Sequence, residues 1–96
     1  DSSTTDYNLS LQLIGDEFYT NENTLIETQI IEGELNNIKN IKVYANNERI
    51  DVIFGVQKDN KISWAPPSSG TYDIYAEANS NLKGVLTTSN HVTITV

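Results

Sequence analysis

The chain of 96 residues has no cysteine and no methionine. A disulfide framework and a thiolate metal site are therefore both excluded, and packing alone must hold the fold. Basic residues are scarce, six Lys and Arg against thirteen Asp and Glu, for a formal charge of -7. That balance argues against a nucleic-acid partner, which needs a basic face for phosphates, and against an anionic membrane surface. No apolar run approaches the ~20 residues of a membrane span. A single histidine, His91, cannot make a transition-metal site by itself. Its parity turns it outward, which reads as an ordinary surface residue. There is no Gly-x-Ser-x-Gly elbow, no phosphate-cradling glycine loop and no Cys–His pair. Carboxylates are plentiful, but a single small sandwich offers no deep cleft to raise the pKa of an acid catalyst. The expectation is a protein that is not an enzyme, with no cofactor and no resident metal.

What is present is β-pattern. A chain of this length makes one domain, and turn signals recur every 8–12 residues, as in a sandwich. Tyr7 to Ile14 alternates, with Leu9, Leu11 and Leu13 on one face. Phe18 should drop back into the core before a turn at Asn21-Glu22-Asn23. Thr24 to Ile31 reads as the second strand, with Ile26, Thr28 and Ile30 inward. The opposite register would bury Glu27 and Gln29, which is costly. Glu32 to Asn40 reads as a loop, with Ile38 plugging the end of the sandwich. Ile41 to Ala45 follows as a strand with Ile41 and Val43 inward, then an Asn46-Asn47 hairpin. Arg49 to Val56 holds one or two short strands, and Lys58 to Asn60 a turn.

In the last third, Ile62 and Trp64 share a face, and the adjacent Pro66 and Pro67 end their strand. Thr71 to Ala78 is a strand with Tyr72, Ile74, Ala76 and Ala78 inward. Asn79 to Gly84 reads as a loop, and Val85 to Val96 as one long strand with a bulge near Ser89-Asn90. The expected fold is all-β, an immunoglobulin-like antiparallel sandwich of about seven strands over residues 7–96. Residues 1–6 read as a linker remnant of a module cut from a longer chain.

Ile38 to Asn47, Lys61-Ile-Ser-Trp64, Gly70-Thr-Tyr-Asp-Ile-Tyr-Ala76 and Val92-Thr-Ile-Thr-Val96 together resemble bacterial Ig-like domains of secreted multidomain glycoside hydrolases and surface proteins. The resemblance speaks to fold more than to function. It departs from antibody-type domains, which place Cys on two strands and Trp on the third. Here Ile74 stands where the second Cys would be, and the Trp lies two strands later. The resemblance implies an accessory or spacer module, outside the cell or on its surface, monomeric, whose partners are adjacent domains of the same chain.

Five residues form the expected structural core: Trp64, Tyr72, Ile74, Val43 and Ile41. The Trp64 indole is read as a core anchor with its N–H on a nearby carbonyl. The Tyr72 hydroxyl should bond backbone near Pro66–Ser69, tying down the corner. Tyr44 and Tyr75 point outward on neighbouring strands, with Asp73 and Lys42 near them. They are the candidate surface platform for a polysaccharide or a protein, against the plainer reading of a cross-strand pair. Glu32, Glu34 and Asn36, with Asp16 or Glu17, make an oxygen-rich loop that calcium could use, although a solvated acidic loop explains it as well. Two alternatives to the spacer remain at this point. One is a carbohydrate-binding module using Tyr44 and Tyr75. The other is an adhesin-type domain that pairs through a strand edge.

Overall fold

The computed structural model describes residues 7–15, 17–80 and 84–96. The expected linker remnant, Asp16 and the tip of the loop after Ser80 lie outside the described residues. Among the described residues, eight strands form two antiparallel sheets packed as a sandwich. The first sheet holds β1 (Asn8–Ile14), β2 (Thr24–Glu32) and β5 (Asp59–Trp64), in the order β1-β2-β5. The second runs β4 (Glu48–Phe54), β3 (Ile38–Ala45), β6 (Thr71–Ser80) and then β7 (Gly84–Thr88), with β8 (Val92–Thr95) also paired to β6.

The inward row of each strand makes the core. Leu9, Leu11, Ile26 and Ile30 come from the first sheet; Ile38, Ile41, Val43, Ala45, Ile74, Ala76, Ala78 and Ile94 come from the second. Ile26, Ile41, Val43 and Ile74 are 0% exposed. The outer face of the first sheet mixes polar side chains with the exposed Ile14, Leu25 and Ile31, Ile14 and Leu25 being cross-strand partners. The Gln12 amide donates to Glu27, Lys61 lies 3.8 Å from Glu27, and the Gln29 amide donates to Asp59 at 2.9 Å. Thr28 is fully buried, and its hydroxyl, like the buried Asn40 Oδ1, has no hydrogen-bond partner among the described residues.

Several boundaries move from the sequence expectation. The third strand begins at Ile38, not Ile41, after a short 3-10 turn at Leu35–Asn37. A register shift between Ile38 and Asn40 lets Ile38, Asn40 and Ile41 all turn inward. Asp59 and Asn60 belong to β5 rather than to a turn. The Asn60 carboxamide closes the preceding bend itself, accepting from Gln57 N–H at 3.1 Å and donating to the Gln57 carbonyl at 2.8 Å. Asn79 and Ser80 extend β6, and Gly84 opens β7, so the expected loop is shorter. The fourth strand joins the third instead of the β1-β2-β5 sheet, unlike a constant-type immunoglobulin domain with four and three strands.

The last expected strand is broken in two at Ser89-Asn90-His91, and side chains replace the missing ladder. Ser89 N–H donates to the Ala76 carbonyl at 2.7 Å, and Ala76 N–H donates to Ser89 Oγ at 2.8 Å. The Asn90 carboxamide reaches the other sheet. It accepts from Leu11 N–H at 2.9 Å and donates to the Leu11 carbonyl at 3.0 Å. These backbone groups of the edge strand β1 would otherwise lack a partner.

The hairpin between β3 and β4 is a two-residue loop with Asn46 and Asn47 at φ 53 and 67. Asparagine tolerates that region, and such turns match the strand twist. Gly33, at φ 112, is required for a second reason: a Cβ there would run into the Tyr7 ring.

Replacing Thr28 with Val keeps the side-chain shape and removes the unsatisfied buried hydroxyl. Thr28→Val should therefore stabilise the domain by about 1 kcal/mol. The check is a urea unfolding midpoint, which should rise with no change in the slope.

Candidate functional site

Two aromatic groups define the surface features of this sandwich. The first lies at the bend after β5. Trp64 ends β5, and Tyr72 sits near the start of β6. Their rings meet edge to face, with centroids 5.2 Å apart and planes at 82°. The Tyr72 hydroxyl donates to the Ser68 carbonyl at 2.8 Å, and Ser68 Oγ lies 3.2 Å away. Trp64 and Tyr72 are half-buried and pack against the core cluster. No described residue bonds the indole N–H; its neighbour is the Tyr72 ring. A half-exposed indole can leave its N–H to water, so a carbonyl partner is not required. Ile74, Val43 and Ile41 are fully buried beneath this corner and along the two central strands.

The second group is a column of rings on the outer face of the larger sheet. Tyr44 and Tyr75 are direct partners across β3 and β6. Their centroids are 5.1 Å apart and their planes differ by 16°. His91, from the break between β7 and β8, stacks on the other face of the pair, 4.6 Å from Tyr75 at 22°. Rings lying edge to edge in one plane could not come this close. The three rings thus stand side by side with their inner faces on each other, presenting edges to solvent.

Polar contacts hold the column. His91 Nδ1 lies 3.1 and 3.0 Å from the two carboxylate oxygens of Asp73. Tyr75 donates its hydroxyl proton to Asn47 Oδ1 at 3.3 Å. Asn46 anchors the same turn to β6, accepting from Asp73 N–H at 2.9 Å. Arg49 faces Tyr44 across the β3–β4 ladder, and Lys42 faces Glu77 across β3–β6. Loss of hydration within the column raises the Tyr44 pKa above its ordinary value; Glu77 and Tyr75 add to the rise, while Arg49 opposes it.

The sequence placed Tyr44 and Tyr75 on adjacent strands but left His91 as an isolated surface residue. Its recruitment depends on the break at Ser89-Asn90, which parity along one continuous strand does not reveal. The Asp73–His91 pairing shared the same blind spot. At the calcium-loop residues, Glu32, Glu34 and Asn36 are exposed, and Asp16 lies outside the described residues. Among the described residues no three His, Asp or Glu side chains gather as a metal cluster.

No family model matches the chain, and no curated protein matches it. Two solved structures share its fold. The fibronectin(III)-like modules of CbhA from Clostridium thermocellum align with a TM-score of 0.65 at 18% identity, over 90% of this chain and 94% of that one. The CARDB domain of a Pyrococcus furiosus protein aligns with a TM-score of 0.63 at 17% identity, over 97% of both chains. The fold is an Ig-like β-sandwich of fibronectin III-like form, consistent with the resemblance to bacterial Ig-like domains.

Tyr72→Phe removes the bond to Ser68 while keeping the ring contact with Trp64. It should cost about 1 kcal/mol in urea unfolding; an unchanged midpoint would mean that the hydroxyl does not hold the corner. Tyr44 gives a pH prediction. Its folded pKa is raised, so the stability linked to it is intact below the unfolded value near ~10 and is lost as pH climbs through the folded value. Tyr44→Phe should therefore show a smaller fall in urea midpoint on going to alkaline pH. Its ultraviolet titration should also lose a late-ionising phenol.

Proposed function

We propose that this chain is a non-catalytic accessory module of an exported bacterial multidomain protein, a rigid spacer that fixes the distance and orientation of its neighbours. The observation that carries the reading is where the two ends of the described chain emerge. Asn8 pairs with Glu32 at one end of the sandwich, and Tyr7 packs against Gly33 there. Val96 exchanges two backbone hydrogen bonds with Gly70 at the opposite end, beside the Trp64–Tyr72 corner. Chain enters at one pole and leaves at the other. The long strand β6, with ten residues, spans roughly 30 Å between them at ~3.3 Å per residue. The likeness to fibronectin(III)-like modules supports a module of this kind.

The alternatives have less support. A flat carbohydrate platform uses ring faces, whereas Tyr44 and Tyr75 cover each other's inner faces. An adhesin-type edge would favour an uncharged strand, whereas the outer strand β4 carries Glu48, Arg49 and Asp51.

The spacer is tested by placing a donor and an acceptor fluorophore at residues 7 and 96. A single narrow distance distribution is expected, unchanged by oligosaccharides. A broad distribution, like that of a flexible linker, would overturn the reading. Depletion of the unlabelled domain from solution by insoluble cellulose or chitin, lost in a folded Tyr44→Ala/Tyr75→Ala variant, would instead establish the carbohydrate platform.

A further inference from the structure

A column of parallel rings has two ends, and in this protein they differ. At the Tyr44 end the chain supplies its own cation, Arg49, across the ladder. At the other end is His91, whose side chain is 53% exposed. Tyr75 covers one face of its imidazole and Asp73 grips its Nδ1. The second face has no ring partner among the described residues. Beside it the Asp73 side chain is 45% exposed. A carboxylate can accept about four hydrogen bonds, and His91 approaches each oxygen once.

We propose that this open end receives an arginine side chain from a protein partner, its guanidinium lying as the next plane on His91 and donating to the Asp73 carboxylate. The chemistry is specific to that group. A guanidinium is planar, weakly hydrated, permanently charged and forked, so it can stack on a ring and hydrogen-bond a carboxylate together. A lysine ammonium offers only a point charge. The chain's charge of -7 draws a basic partner toward it. The imidazole is already held in place, so little side-chain freedom is lost on binding. A neutral sugar gains less, because the inner ring faces cover one another and Arg49 faces the Tyr44 end, which leaves the His91 face. This inference does not rest on the spacer reading, and each stands if the other fails.

The test is an amide chemical-shift titration of the 96-residue chain with three probes: acetyl-Gly-Arg-Gly-amide, its lysine counterpart and a neutral glucan oligomer. Saturable shifts centred on Asp73, Tyr75 and His91 are expected with the arginine peptide, about 3-fold tighter than with lysine. His91→Ala should bring arginine down to the lysine level, and Asp73→Asn should weaken both peptides. Unchanged Trp64 and Tyr72 resonances establish that each variant folds, and either variant alone suffices for the comparison. The proposal is overturned by equal arginine and lysine affinities, by shifts at these residues from the glucan alone, or by no saturable shift there.

Discussion

The structure depends on the closure of two inward rows of branched aliphatic side chains on each other. Ile26 from one sheet and Ile41, Val43 and Ile74 from the other are sealed completely from solvent, in a chain with no cysteine to share the task. Burial of apolar area is the dominant favourable term available. It fixes the strand register too, since a one-residue slip would send Glu27 and Gln29 inward. The small residues Ala76 and Ala78 on β6 let the sheets approach closely opposite the larger isoleucines and leucines.

Two polar devices finish what the core begins. The bend after β5 is held by Tyr72, whose ring meets Trp64 and whose hydroxyl takes the Ser68 carbonyl. The side of the sandwich is held by Ser89 and Asn90. There the final strand breaks, and side chains complete ladder positions on Ala76 and Leu11. Both devices satisfy backbone groups, and at Ala76 and Leu11, where water is scarce, those groups are expensive to leave unpaired. The second also shapes the surface, because the same break swings His91 onto Tyr75.

The outer sheet face therefore carries an ordered column with a carboxylate at one end and a guanidinium facing the other. Its rings owe their order to the core beneath. Tyr44 lies between the buried Val43 and Ala45 on β3, and Tyr75 between Ile74 and Ala76 on β6. Cross-strand pairing then sets them side by side. A surface built this way is rigid before any partner arrives, which suits a module whose proposed work is geometric.

Alternation in the sequence was sufficient for the all-β class, the inward rows of β1, β2, β3 and β6, the Asn46-Asn47 turn and the tyrosine-bound corner. Each follows from interactions among residues near in sequence, or from a period of two that one buried face imposes. The outward direction of Tyr44 and Tyr75 was legible for the same reason, whereas their pairing across β3 and β6 followed from the Ig-like fold that the resemblance implies. Only the tertiary structure decided that the third strand starts at Ile38, that the fourth joins the third, and that the last breaks into β7 and β8. It alone brought His91 to Asp73 and Tyr75, and Asn90 to Leu11. Those contacts join residues far apart in the chain, up to 79 positions for Asn90 and Leu11. Their geometry is set by how the sheets meet, and local periodicity contains no information about that distance.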